Sequence, residues 1–296
     1  MRISVYILLC LIWGTTWYAI KIGLADAPPL STVASRFVLA IPILVIIALV
    51  RRTRFPTSMF ELLRLAYPGL YMYGFSYTLV YFAELYISSA LTAVLFAAFP
   101  FFIALLSWLK YGEEKLAASA WFGMAAGFAG VVLISYDSLH SSTDLFLGTL
   151  LALAAPLAAA YGILVHKHHH GGADVTVALT VQMAFGSILV ALAALLFEDL
   201  ADFHLTSRVI TSIVYLALFG NVVSFLGYYW LLKRIRIVTL SMIAFITPLI
   251  AISVGVILAD EHLSFQIAIG TALILMGVMA VVRRQSTSAA SAGSTG

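Results

Sequence analysis

The chain has 296 residues, 63% of them hydrophobic and 10% charged, with a formal net charge of +3 and a mean hydropathy of +1.07. Soluble domains are about half apolar and a quarter charged, so this composition excludes an ordinary water-soluble fold and places the chain in a lipid bilayer. The net charge of +3 comes from loops between the apolar runs, so no nucleic-acid partner is expected.

A spanning helix takes about 20 mainly apolar residues. Ten such runs lie between charged or Gly/Pro punctuation, at about 4–24, 30–50, 64–86, 90–110, 118–136, 147–166, 175–197, 209–232, 238–258 and 264–282. Ten-residue segments of alternating hydropathy, the mark of an outer-membrane barrel, are absent. The expected fold is an all-α membrane protein of ten transmembrane helices.

The first run follows Arg2 and ends near Ala25-Asp26-Ala27, in imitation of a signal peptide. It is longer than the usual apolar region of about 7 to 15 residues, holds Lys21 and is followed by Pro28-Pro29, so it reads as the first span. It carries Trp13, Trp17 and Lys21 at i, i+4 and i+8, and Cys10, the single cysteine, which leaves no partner for an intramolecular disulfide. The second run holds Arg36. In the third, Tyr73, Tyr77, Tyr81 and Glu84 share one helical face, with Ser76 beside them. Ionisable groups inside spans are functional candidates. Lys21, Arg36 and Glu84 lie toward the span ends and read either as a charge pair or gate, or as snorkelling side chains.

The fourth run has Pro100 about ten residues from either end, with Phe96 and Phe99 nearby. A mid-helix proline removes a hydrogen bond, here freeing the Phe96 carbonyl. The fifth contains Gly123-Met-Ala-Ala-Gly127, a GxxxG spacing that admits a close helix neighbour, inside the bundle or in a dimer; monomer and homodimer both stay open. The sixth includes Tyr161 and runs into His166-Lys-His168-His169-His170. Adjacent histidines without nearby Cys or acidic ligands read as a solvated turn, so neither metal nor cofactor is expected. Pro42 and Pro156 read as packing kinks. The seventh run holds Gln182. The eighth holds Asn221, Ser224, Phe225, Tyr228 and Tyr229, and an amide within a span should face the bundle interior. The ninth carries Phe245 and Pro248, and residues 285–296 are small and polar, a disordered tail.

Thirteen basic residues, Arg2, Arg51, Arg52, Arg54, Arg64, Lys110, Lys115, Lys167, Lys233, Arg234, Arg236, Arg283 and Arg284, fall on one side if the loops alternate. The positive-inside rule makes that side cytoplasmic, with both termini. A shift of 148 residues aligns the two halves, placing Gly14 on Gly162, Tyr81 on Tyr229, Pro100 on Pro248 and Glu113 on Glu261. Five spans is an odd number, so the second repeat must enter from the opposite side. The expected organisation is a first five-helix repeat at 1–140, a second, inverted one at 141–284, and the tail at 285–296. Inverted repeats recur in secondary transporters, whose substrate site lies between them. Pro100 and Pro248 are then candidate hinges. The candidate substrate cavity comprises Trp13, Trp17, Tyr73, Ser76, Tyr77, Tyr81, Phe96, Phe99, Tyr161, Gln182, Asn221, Ser224, Tyr228 and Phe245. No paired intramembrane Asp, HExxH or Ser/His arrangement points to an enzyme.

The segments Trp13-Gly14-Thr15-Thr16-Trp17 with Lys21, Pro28-Pro29 leading to Arg36-Phe37, FAAFP, AFITP and Gly112-Glu113-Glu114-Lys115-Leu116 resemble the EamA-type branch of the drug/metabolite transporter superfamily. Within it, Tyr81-Phe-Ala-Glu84-Leu-Tyr86-Ile-Ser-Ser is similar to the YddG-type aromatic amino-acid exporters. The resemblance implies alternating-access export of aromatic and other amino acids across the bacterial inner membrane, through a cavity lined by the third, fourth, eighth and ninth spans. A broad drug or metabolite effluxer of the same fold is the alternative. A passive channel or scaffold is the reading from a different class.

Overall fold

Apolar runs of this length give the backbone no water to bond, so each closes its N–H and C=O groups internally as helix. The computed structural model describes residues 1–112, 118–141, 143–170, 172–232, 234, 240, 243–261 and 264–292. Among them every regular element is helical and none is a strand. In chain order these are α1 (Arg2–Leu24), α2 (Pro29–Val50), α3 (Met59–Gly69), a π-helical segment (Leu70–Ser76), α4 (Tyr77–Tyr86), α5 (Ser89–Phe96), α6 (Phe99–Tyr111), α7 (Ala118–Ser141) and α8 (Thr143–His170). There follow α9 (Val175–Phe197), a 3₁₀ turn (Leu200–Asp202), α10 (Ser207–Tyr215), a second π-helical segment (Leu216–Val223), α11 (Ser224–Leu232), α12 (Ile243–Leu258) and α13 (Phe265–Ala292).

Six helical stretches are long and apolar enough to cross a membrane: Arg2–Leu24, Pro29–Val50, Ser89–Tyr111, Thr143–His169, Val175–Phe197 and Ser207–Leu231. Trp121–Leu133, Ile246–Leu258 and Phe265–Gly277 are apolar but shorter. Large apolar side chains such as Phe122, Phe128, Leu196 and Phe197 are exposed. In water these would be a liability; here they are the lipid-facing surface of a multi-pass membrane protein.

Inside the bundle, α2 lies along α9, α1 along α12 and α7 along α13. The main core gathers Phe37, Leu44, Tyr73, Tyr81, Met183 and Leu216. A second gathers Val94, Leu95, Ala152 and Ile274. The GxxxG of α7 is used within the chain, because a Cβ on Gly277 of α13 would collide with the Gly123 and Gly127 backbones. The 148-residue shift makes the two π-helical segments overlap, offset by one to two residues at their ends, so a local irregularity recurs in both halves.

Two helix N-termini are closed by carboxylates from distant segments. Glu198, just past α9, accepts from Leu30 N at 2.7 Å, Ser31 N at 2.8 Å and Ser31 Oγ at 2.7 Å at the start of α2. Glu261, just past α12, accepts from Ser89 N at 2.9 Å, Ser89 Oγ at 2.7 Å and Ala90 N at 3.1 Å at the start of α5. Both ends carry orphan N–H donors and the positive pole of the helix dipole.

The fourth run is interrupted next to Pro100, and the irregular residues precede the proline. The break falls between α5 and α6 at Ala97 and Ala98, whose dihedrals are φ −62°, ψ −10° and φ −68°, ψ −8°. Ala98 N donates to Leu95 O at 3.1 Å and Phe101 N to Ala98 O at 2.9 Å, tight turns in place of the α ladder. Pro100 therefore occupies the first turn of α6, where its missing N–H costs nothing. Pro248 lies inside α12, with Thr247 Oγ1 donating to Ile243 O at 3.1 Å one residue earlier. The two prolines are equivalent in sequence but occupy different helical contexts.

Two further differences follow from local chemistry. The histidines read as a turn form the last turn of α8, since no helix breaker occurs before Gly171. The α13 backbone is helical to Ala292, into the segment read as a tail. Glu113, Lys115, Lys233 and Arg236 lie outside the described residues, as does the side chain of Phe245.

Candidate functional site

Arg36 on α2 is 1% exposed and lies against the second π-helical segment. Gly220 makes the approach feasible: a Cβ there would sit 3.0 Å from Arg36 Nη2 and 3.2 Å from Thr16 Cγ2. Arg36 Nη2 donates to Asn221 Oδ1 at 2.7 Å, and Nη1 donates to Tyr81 Oη at 3.4 Å. Its guanidinium carbon is 4.9 Å from the Tyr77 ring centroid and 5.6 Å from that of Phe37. Buried cations persist where such partners replace water.

An aromatic wall surrounds this group. Phe37 meets Tyr73 and Tyr77 edge-on at 5.5 and 5.0 Å, Tyr73 stacks on Tyr77 at 6.0 Å, and Phe225 meets Tyr73 at 5.8 Å. Trp13 extends the wall, 6.0 Å from Phe225 and 5.5 Å from Tyr228. A second stack joins Trp17 to Phe96 at 5.3 Å and Phe96 to Phe99 at 6.1 Å, with α5 and α6 each supplying one phenylalanine across the break. The repeat explains the wall's composition: the shift pairs Tyr73 with Asn221, Ser76 with Ser224, Tyr77 with Phe225 and Tyr81 with Tyr229. Tyr73, Ser76, Asn221 and Ser224 are all buried, so each π-helical region delivers its pair inward.

Of the readings open for Lys21, Arg36 and Glu84, an ion pair among the three does not occur within the described residues. Lys21 Nζ donates to the backbone carbonyls of Glu84 and Ile87, the latter at 3.2 Å, at the end of α4. An ammonium there complements the negative pole of a helix. The Glu84 carboxylate is 1% exposed and accepts no hydrogen bond. Tyr161 and Gln182 stand apart from the Arg36 cluster. Tyr161 receives Lys110 Nζ at 2.8 Å and packs on Tyr71 at 4.5 Å; Gln182 Nε2 lies 2.9 Å from His166 Nδ1. Phe37 and Gly220 belong to the site and were absent from the candidate cavity. The burial of Arg36 between them is the signal that an isolated residue type does not carry.

The EamA-like transporter family matches residues 2–136 and 146–283, nearly the whole chain in two copies. The chain belongs to this family. The EamA-like chain is 27% identical to an uncharacterized inner membrane transporter, YedA, of Escherichia coli strain K12, over 86% of this chain and 82% of that one. It is 25% identical to a probable amino-acid metabolite efflux pump of the same strain, over 92% and 91%. A solved crystal structure superposes with a TM-score of 0.67 at 18% identity, covering 95% of this chain and 96% of that one, a likeness of fold. Family membership makes small-molecule transport in a membrane the setting for Arg36 and its aromatic wall.

Proposed function

We propose that this EamA-like protein is a secondary transporter that exports amino acids, aromatic and apolar ones above all, across the inner (cytoplasmic) membrane by alternating access. The observation that carries the reading is the Arg36–Asn221 bond. It joins the first family-matched segment to the second through a buried charge walled by aromatic rings. A carrier needs its substrate site where the two repeats meet, and the rings suit an apolar side chain. The names of the two Escherichia coli relatives, an inner membrane transporter and an amino-acid metabolite efflux pump, favour the same location and substrate class.

In this reading the chain has ten spans in two inverted five-helix repeats, 1–140 and 141–284, with both termini cytoplasmic. Trp13, Trp17, Tyr73, Ser76, Tyr77, Tyr81, Phe96, Phe99, Asn221, Ser224 and Tyr228 face the path, and Pro100 and Pro248 are hinges. Proteoliposomes loaded with labelled phenylalanine, leucine or glutamate test it. Saturable, competitor-sensitive flux of phenylalanine and leucine supports the carrier. Flux that never saturates points to a channel, and no flux of any amino acid overturns the reading.

A further inference from the structure

Six buried side-chain polar atoms among the described residues make no hydrogen bond: Arg36 Nε, Tyr73 Oη, Glu84 Oε1 and Oε2, Asn221 Nδ2 and Tyr111 Oη. Buried polar groups in folded proteins are almost always partnered, so orphans that gather in one region call for an explanation. Five of the six belong to one set of neighbours. Arg36 is bonded to Asn221 and Tyr81; Tyr73 stacks on the Tyr77 ring beneath the Arg36 guanidinium; Glu84 lies one turn beyond Tyr81 on α4. All four residues are at most 1% exposed.

The orphans fall into two chemical kinds. Arg36 Nε–H, the Asn221 amide N–H groups and the Tyr73 hydroxyl are donors, whereas the two Glu84 oxygens are acceptors when ionised. A carboxylate offers the acceptor lone pairs that the first group lacks, and an ammonium offers the donors that Glu84 lacks. We propose that these residues form a two-ended site for the zwitterionic head of a free α-amino acid, with Arg36, Asn221 and Tyr73 holding its carboxylate and Glu84 holding its ammonium. The proposal rests on the transport reading above and specifies which atoms of the substrate are recognised.

Charge balance favours a zwitterion over either half of one. The charged groups that act on Glu84 are Lys21 from α1, Arg36 from α2 and Glu261 after α12. Lys21 is committed to the Glu84 and Ile87 carbonyls, and Glu261 to the α5 N-terminus. That leaves the Arg36 guanidinium and the Glu84 carboxyl group with unused hydrogen-bonding capacity. A zwitterion satisfies both and brings no net charge into a low-dielectric site, while an amine or an acid alone satisfies one and leaves the other stranded. Tyr77, Phe37 and Phe225 are the apolar rings nearest this group, and they would have to part to admit the amino acid's side chain.

Binding of labelled L-phenylalanine to the purified full chain, with unlabelled competitors, tests this directly. Phenethylamine lacks the carboxylate and 3-phenylpropionate lacks the ammonium, and both are smaller than phenylalanine, so steric exclusion cannot explain a loss. Each is expected to compete at least about ten-fold more weakly, as polar sites reject ligands that leave them unpaired. Glu84→Gln is expected to weaken phenylalanine by a similar factor while leaving 3-phenylpropionate unchanged, and Arg36→Gln to weaken phenylalanine while leaving phenethylamine unchanged. Phenylalanine bound with either truncated compound competing equally well overturns the two-ended site, whatever the variants do. Binding of no amino acid to the wild-type chain removes the transport reading as well, so the two failures are distinct.

Discussion

Glu198 takes two hydrogen bonds from Ser31, one from its backbone N–H at 2.8 Å and one from its hydroxyl at 2.7 Å, although 167 residues separate them. The first turn of α2 has no side-chain cap of its own, since Pro28 stands at its N-cap position. Glu198→Ala is expected to lower stability by about 1–2 kcal/mol, the loss of a cap together with its dipole interaction. Thermal unfolding in detergent checks this. Asp199→Ala is the comparison: among the described residues the exposed Asp199 side chain caps only the three-residue turn at Leu200–Asp202 through Ala201 N–H, so its midpoint should move far less.

Gly220 has no room for a larger side chain beside Arg36, with 3.0 Å from a Cβ position to Nη2. Gly220→Val should displace the guanidinium from Asn221 and cut amino-acid flux by about ten-fold or more, in keeping with about 1–3 kcal/mol of overpacking. Flux measured at matched protein levels reads the effect. Undiminished flux would detach this contact from transport.

The break at Ala97 and Ala98 and the proline inside α12 make separable predictions. Pro100→Ala restores an N–H that can rejoin α5 to α6, and Pro248→Ala restores one within α12. If these places flex during transport, the double variant should turn over several-fold more slowly with little change in KM. Kinetics in proteoliposomes decide it; unchanged turnover would show that neither position is a hinge.

The α7–α13 contact depends on backbone approach. Gly277→Leu would drive a side chain into the Gly123 and Gly127 backbones, which cannot yield as a flexible side chain can. The expected result is a loss of monodisperse, folded protein, read by size-exclusion chromatography. Gly172→Leu is the control, because a Cβ there meets nothing within 4 Å.

Hydropathy alone located the helices well: the run 175–197 is α9, and Pro28-Pro29 marks the start of α2. A long apolar stretch has only one way to satisfy its backbone in lipid, so pattern and structure coincide there. Where several satisfactory arrangements compete, sequence was less informative. Pro100 announced a break, but proline disrupts the turn before it, so the irregular residues are Ala97 and Ala98. Sign and depth leave Lys21 and Glu84 open to pairing, to gating or to snorkelling, and the bonds that Lys21 makes are to backbone carbonyls. Arg36 and Asn221 were each noted as polar within a span. Their pairing was hidden because the 148-residue shift relates Asn221 to Tyr73 and offers Arg36 only Ala184.

The π-helical segments at Leu70–Ser76 and Leu216–Val223 set an angular phase. A wider turn accommodates a residue that an α-helix would not, and one residue corresponds to about 100° of rotation. Everything beyond Ser76, including the Tyr81 hydroxyl that meets Arg36, owes its compass bearing to that surplus. Removing a single residue such as Gly74 would restore regular hydrogen bonding yet swing α4 away from its partners. The poorer helix is the one that aims correctly.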